Sequence, residues 1–367
     1  MAKKIVLSVT NDTYTDQRVH KMARKLNSMG YIVHIIGKWS KQKISQPDYA
    51  RIKRLRVLFK KSAFFYAEYN MKLFFYLLFS KLSILTANDL DTLPANALVA
   101  VLRRKKLVYD SHEFFTESPE IVNRKWLQKF WKFVEKICIK AIDHGLTVSR
   151  PIAEAYKSTY NKDFIVVRNL PERYIDKDIN TKLPECFDFD KIVIYQGSLN
   201  LGRGLELAID AFSLINDIRF IIIGCGDVEA QLKERVKQKD LSQKVFFTGR
   251  IAPEILPFYT SRATIGISIE EKLGKNYEFA LPNKVFDYIN AGVPVIVSEL
   301  PEMQKIVDNY KVGLVLRDYS VKGFADMVQN VFNSEDKLAE LKQNCIKASE
   351  ELYWEKESRI IEDIYNS

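Results

Sequence analysis

The chain has 367 residues, 47% of them hydrophobic and 28% charged. That is enough to bury two cores, and the length favours two domains. The formal net charge of +10 calls for an anionic partner: nucleic acid, a membrane surface or phosphorylated small molecules.

Cys138, Cys186, Cys225 and Cys345 are scattered, without CxxC pairing or a metal-like His cluster. They read as reduced thiols of a cytoplasmic protein. The N-terminal apolar run is about five residues, short of the roughly seven to fifteen of a secretory core, and reads as a first strand. The most apolar stretch, from Ala63, is broken by Glu68 and Lys72 and falls short of the ~20 residues of a membrane span.

Strand-like and helix-like segments then alternate. "KIVLSV" is followed by an amphipathic run over 16–29, with Gly30 where a helix C-cap belongs. "YIVHIIG", "RIKRLRVLF", a helix over 64–80, "LSILTAN", a helix from 93 and "KLVYDSHE" continue the series. A long helix is predicted over 120–142, and "HGLTVS" and "FIVVRN" close the half. Residues 171–190 are polar, contain two prolines and carry no clean period, so they read as an interdomain linker. The alternation restarts with "KIVIYQGSL" and runs through "IRFIIIGCGD", "KVFFTG", "ATIGISI" and "PVIV" to "VGLVL". The expected fold is α/β, with two Rossmann-like, doubly wound parallel-sheet domains over 1–170 and 191–350.

In such sheets ligands bind beyond the carboxyl ends of the strands. "YQGSLNLGRGLE" surrounds Arg203 with Gly197, Gly202 and Gly204 just before a helix. Close backbone approach, free N–H donors and a guanidinium suit a diphosphate, although a plain turn with a solvated Arg fits as well. Gly224 and Gly226 end the next strand, where a tight turn with Asp227 as N-cap is the simpler reading. Arg250 follows the glycine of "FTGRI". In "LPNKVFDY", Pro282 suits a first helical turn, so Asn283 and Lys284 stand at a helix start. A cation there opposes the helix dipole and makes sense beside a bound anion. Asp287 lies on the same face as Lys284 and could accept from ribose hydroxyls, or simply pair with Lys284.

In the first half, His112 and Glu113 follow a central-type strand, where His can act as donor or acid/base. Asp16 and Arg18 follow the first strand, Asp16 as a candidate N-cap. Asp89 and Asp91 have a DxD spacing that can bind a metal and a diphosphate, but N-capping of the next helix explains them more simply. "RIKRLRVLFKK" carries six basic residues and no acid. "RKWLQKFWKFVEKICIK" has Trp126, Phe130 and Trp131 among six Lys/Arg. It reads either as a basic amphipathic helix lying on an anionic bilayer or as a helix whose aromatic face packs on the sheet. No nucleic-acid reader motif accompanies the charge.

Taken together, "DQRV" at 16–19, "YDSHE", "TVSRPIAEAY", "VVRNLPE", "YQGSLNLGRGLELAIDAF", "LPNKVFDYINAGVPVIVSELPE" and the terminal "YWEKESRIIEDIY" resemble, in order and spacing, the retaining GT-B glycosyltransferases of family 4. The resemblance implies two domains facing a central cleft, with residues 351–367 crossing back to the N-terminal domain. It implies a nucleotide-diphosphate sugar, of UDP or GDP type, as co-substrate without a bound metal or other cofactor. Gly197, Ser198, Arg203, Gly224, Gly226, Arg250, Asn283, Lys284 and Asp287 would lie on the donor side, with Arg203 and Lys284 on the diphosphate and Asp287 on the ribose. Asp16, Arg18, His112 and Glu113 would lie on the acceptor side, His112 near the transferred sugar.

Two departures from the family pattern matter. The family commonly has a glutamate eight positions before the acid at 287, where this chain has Phe279; Glu278 is the candidate replacement, and Glu270 and Glu271 lie earlier in the loop. Ser198 stands where a basic residue often follows the "YQG" turn. The expected acceptor is a saccharide or lipid-linked saccharide, and the expected location is the cytoplasm, peripheral on the inner face of the cell membrane. A nucleotide-sugar epimerase and a non-catalytic nucleotide-sugar-binding protein are the competing readings.

Overall fold

The computed structural model describes residues 3–14, 16–41, 45–59, 62–173 and 182–366. Lys60 and Lys61 of the basic segment and residues 174–181 of the linker lie outside the described residues. The chain divides into two compact units. One comprises Met1–Asn169, Gly274–Asn276 and Glu357–Ser367; the other comprises Leu170–Leu273 and Tyr277–Lys356.

The first unit is built on β1 (Lys4–Asp12), β2 (Ile32–Lys38), β3 (Arg51–Leu55), β4 (Ile84–Asn88), β5 (Lys106–Ser111), β6 (His144–Thr147) and β7 (Phe164–Val166). The strand order is β3-β2-β1-β4-β5-β6-β7, all parallel. The second is built on β8 (Ile192–Gln196), β9 (Arg219–Ile223), β10 (Val245–Gly249), β11 (Ile265–Ser268), β12 (Val295–Ser298) and β13 (Gly313–Leu316). Its order is β10-β9-β8-β11-β12-β13, again all parallel. Strand order reverses between β1 and β4 in one sheet and between β8 and β11 in the other. Those are the switch points beside which the loops part and leave a crevice.

Near-continuous apolar strands follow from burial on both faces. In β8, Val193 and Tyr195 face the helices Leu205–Ala211 and Val321–Phe332, and Ile192 and Ile194 face Asn283–Asn290 and Pro301–Tyr310. Gly30, at φ 86, follows the helix Gln17–Ser28, as a C-terminal glycine should.

Two local expectations change. The helix predicted over 120–142 is three pieces: Pro119–Val122, Lys125–Cys138 and a 3₁₀ turn at Ile139–Ala141. Arg124, at φ −120 and ψ 79, breaks it after the polar Asn123. Asp227 does not cap the next helix, because Val228 holds the N-cap position of Glu229–Gln238.

The terminal helix Ile360–Asn366 belongs to the first unit. Tyr365 is 1% exposed and its hydroxyl meets that of Thr86 at 2.8 Å. Tyr31 Oη donates to the Tyr365 carbonyl at 2.8 Å, and Lys106 Nζ to that of Ile364 at 2.5 Å. Side chains thus take up carbonyls that the helix end leaves unpaired. Tyr365→Ala, which removes a buried aromatic side chain, is expected to cost about 3–5 kcal/mol in urea unfolding, and Tyr365→Phe about 1 kcal/mol. An alanine variant as stable as the parent would show that the terminal helix does not depend on this side chain.

Candidate functional site

In the second unit the chemistry gathers at the carboxyl ends of β8 and β11. Glu270, two residues past β11, is fully buried. Lys284 Nζ donates to its Oε1 at 2.7 Å, and Arg203 Nη1 lies 3.5 Å from the same oxygen. Ser268 Oγ donates to Oε2 at 2.8 Å, and Ser298 Oγ to the Glu270 carbonyl at 2.6 Å. Burial alone would raise the Glu270 pKa, but Lys284 and Arg203 outweigh it and hold the carboxylate below its usual range. Two cations therefore converge on one carboxylate, and the three groups sum to one positive charge.

Each cation is also held by a ring. Lys284 Nζ lies 4.2 Å from the Tyr195 ring centroid, and the Arg203 guanidinium 5.0 Å from that of Tyr277. Tyr195 Oη donates to the Ser198 carbonyl at 2.7 Å, tying the turn after β8 to the ring beneath Lys284. Gly197 and Ser198 are exposed above the buried strand end. Gly224 backs onto Gly197 at φ 139, where a Cβ would strike the Gly197 carbonyl, so only glycine fits.

Asp287 is placed by a relay. Gln196 Nε2 donates to Asp287 Oδ2 at 3.0 Å, and Thr260 Oγ1 donates to Gln196 Oε1 at 2.6 Å. The Gln196 amide donates to Tyr288 Oη at 3.0 Å. Asn283 opens the helix Asn283–Asn290 and is exposed. Gly226 packs on the Leu199 backbone, and Arg250 is exposed just past β10. Glu278 pairs with Lys272 at 2.8 Å, whereas the two cations meet Glu270. The sequence marks Glu270 only as a loop acid; the usable signal is an acid two residues past the buried strand Ile265–Ser268, following the apolar Ile269.

In the first unit, Arg18 grips Asp110 with two parallel bonds of 2.9 and 2.7 Å and donates to the Val167 carbonyl at 2.9 Å. Asp110 is fully buried and Arg18 nearly so. Arg18 and His112 hold the Asp110 carboxyl far below its usual range despite burial. His112 Nε2 lies 3.2 Å from Asp110 Oδ2, and its Nδ1 lies 3.4 Å from Asp89 Oδ2. Burial opposes the imidazolium, but Asp89 and Asp110 push its pKa up to about 9. At neutral pH, His112 is therefore a charged hydrogen-bond donor and not a free base.

Asp89, left-handed at φ 61, also accepts the His112 amide at 2.8 Å. Asp91 takes the Thr10 hydroxyl across the β1–β4 switch point, and burial pushes its pKa up to about 8. Neither acid caps the next helix: the N-cap is Thr92, with no side-chain cap bond. Asp16 does cap Gln17–Ser28, accepting from Val19 N at 3.2 Å. Glu113 Oε2 accepts from Asn276 Nδ2 at 3.2 Å, and Asn276 Oδ1 accepts from Phe114 N at 2.9 Å. These bonds join Gly274–Asn276 to the first unit.

Two parallel-sheet units with charged clusters at their switch points define the GT-B fold, and solved structures share it. A sucrose-phosphate synthase from Thermosynechococcus elongatus superposes with a TM-score of 0.77 at 17% identity, covering 99% of this chain and 98% of that one. The Anabaena protein HepE, solved with UDP and glucose, gives 0.75 at 12% identity over all of both chains. Residues 16–169 match Glycosyltransferase Family 4 and residues 178–351 match Glycosyl transferases group 1, and the chain belongs to this family. A chitobiosyldiphosphodolichol beta-mannosyltransferase of Debaryomyces hansenii is 24% identical over 300 residues, 71% of this chain but only 62% of that protein.

Glu270→Gln would leave Lys284 buried without its counter-charge, and is expected to cost about 3–5 kcal/mol. Inorganic pyrophosphate should then raise the melting temperature of the variant more than that of the parent. An equal rise in both would mean that the cations do not face added anion.

The His112 pKa lies above its unfolded value. Its stabilisation is therefore full below about pH 6.5 and is lost as pH rises through about 9. The stability gap between the parent and His112→Asn should shrink by roughly 3 kcal/mol between pH 6 and pH 10. A gap independent of pH would remove the imidazolium from the network.

Proposed function

We propose that the chain transfers a hexose from a nucleotide-diphosphate donor to a saccharide acceptor carried on a lipid, with retention at the anomeric carbon and without a metal. The convergence of Arg203 and Lys284 at the β8–β11 switch point carries this reading. Breaking the anomeric C–O bond leaves negative charge on the departing diphosphate. Fixed cations, Lys284 buried and Arg203 part-buried, already oriented by Tyr195, Tyr277 and Glu270, stabilise that charge more than they stabilise the intact donor. They supply the charge that a divalent ion would otherwise bring. Asp287, held by Gln196, would take the ribose hydroxyls.

On the acceptor side, Arg18 fixes Asp110, and Asp110 with Asp89 fixes a protonated His112. Both of its N–H groups face those carboxylates, so the imidazolium would act on the transferred sugar through its positive charge. The lipid-linked class of acceptor draws on the mannosyltransferase relative, whose name specifies a dolichol diphosphate-linked disaccharide. The chain spans 62% and 39% of the lengths of the two curated relatives, so base, sugar and linkage are matters for assay.

Nucleoside diphosphate release that depends on acceptor would support transfer. Sugar conversion without acceptor would indicate an epimerase, and donor binding without turnover a binding protein. Lys284→Ala should weaken donor binding about 10–100-fold, as loss of a charge-assisted bond does, and lower turnover. Arg203→Ala, at a more exposed position, tests the same point with less risk to folding. Unchanged donor affinity and rate in both variants would sink the assignment of the diphosphate.

A further inference from the structure

Three helices of the first unit leave an apolar stripe outside. Ser62–Phe79, Leu93–Arg103 and Lys125–Cys138 pack side by side, Leu93–Arg103 in the middle. Tyr66 meets Trp131 edge-on at 5.4 Å, and Arg103 donates to the Leu77 and Ser80 carbonyls at 2.9 and 2.6 Å. Ser62–Phe79 buries Phe65, Tyr69, Leu73 and Leu77 inward, yet Phe64, Met71, Phe75 and Phe79 are 52–80% exposed. Leu93–Arg103 exposes Leu98, Val101 and Leu102. Lys125–Cys138 buries Trp131, Glu135 and Cys138 and exposes Trp126, Phe130, Phe133 and Ile137. Of the three aromatics singled out in the sequence, Trp131 packs inward and Trp126 and Phe130 point outward.

The stripes are periodic rather than incidental. At about 100° per residue, Trp126, Phe130, Phe133 and Ile137 fall within about 60° of arc, opposite the buried side. Lys125, Lys129, Lys132 and Lys136, all exposed, fall on one flank of that stripe. The acids on these helices are Glu68 and Glu135 alone, and both are buried: Glu68 pairs with Lys72, and Glu135 accepts from Tyr156 and Tyr160. The neighbouring helix Arg150–Tyr160 instead presents Glu154, Lys157, Ser158 and Thr159, so the apolar face has an edge. Apolar side chains flanked by cations, with no exposed acid, match the layered chemistry of an anionic bilayer: acyl chains below, phosphates above. Among the described residues no helix is long and apolar enough to cross a membrane.

We propose that this three-helix face docks on the surface of an anionic membrane, inserting the exposed aromatic stripes while Lys125, Lys129 and Lys136 lie among lipid phosphates; Lys132 is paired with Glu117. The inference rests on this surface and not on the sugar-transfer reading.

Flotation with vesicles of phosphatidylcholine alone, and of equal parts phosphatidylcholine and phosphatidylglycerol, tests it. The full chain should float with the anionic vesicles preferentially. Phe75→Ser, Phe79→Ser, Trp126→Ser and Phe130→Ser combined, all at exposed positions, should lower the bound fraction by about tenfold with no loss of thermal stability. Lys125→Glu, Lys129→Glu and Lys136→Glu combined should abolish the anionic preference, which guards against misfolding of the first variant. No preference for anionic vesicles in the parent, or undiminished binding in both variants, would overturn the proposal. So would a solution dimer that the serine variant dissociates, because the face would then be an interface between copies.

Discussion

A carboxylate taken out of water costs several kcal/mol unless a cation and further hydrogen bonds meet it, and each unit holds such a cation-paired group at the carboxyl end of its sheet. Asp110 is answered by Arg18 and His112, and Glu270 by Lys284 and Arg203. Much of the local geometry follows from satisfying these two groups. Asp89 is left-handed while it bonds His112 at both the amide and the ring. Ser268 and Ser298 turn inward to complete the shell around Glu270.

The parallel sheet explains why the partners come from distant sequence. All strands of a unit end on the same side, and the strand order reverses once, so loops after non-consecutive strands meet at one place. Arg18 follows β1 and Asp110 ends β5. Lys284 opens a helix between β11 and β12, while Arg203 follows β8. Arg18 and Asp110 stand 92 residues apart and Lys284 and Glu270 14 apart, so the sheet topology brings these partners together.

The strand and helix alternation was legible because buried parallel strands such as "FIII" and "VIV" have few other places to go. Arg203, Lys284 and His112 were legible because each broke a local preference or sat at a strand end. Glu270 was not singled out, because an acid after a strand looks like any loop acid until burial is known. The Asp89–Asp91 pair misled for the same reason: its spacing suits a cap, while the tertiary partners are His112 and Thr10. The break at Arg124 was hidden because helical periodicity continues on both sides of it.

The two clusters differ in their balance of charge, and that difference bears on the proposed roles. In the first unit two cations, Arg18 and His112, stand against two carboxylates, Asp110 and Asp89. The network is matched within itself and suits a neutral hydroxyl-bearing acceptor. In the second, Arg203 and Lys284 converge on the one carboxylate of Glu270, and these three groups sum to one positive charge near the exposed turn Gly197–Ser198. Lys284, which a helix start would otherwise disfavour, is tolerated because Glu270 neutralises it before any ligand arrives. A diphosphate would then bind to cations already held in place, so little reorganisation would stand between binding and the stabilisation of the leaving group.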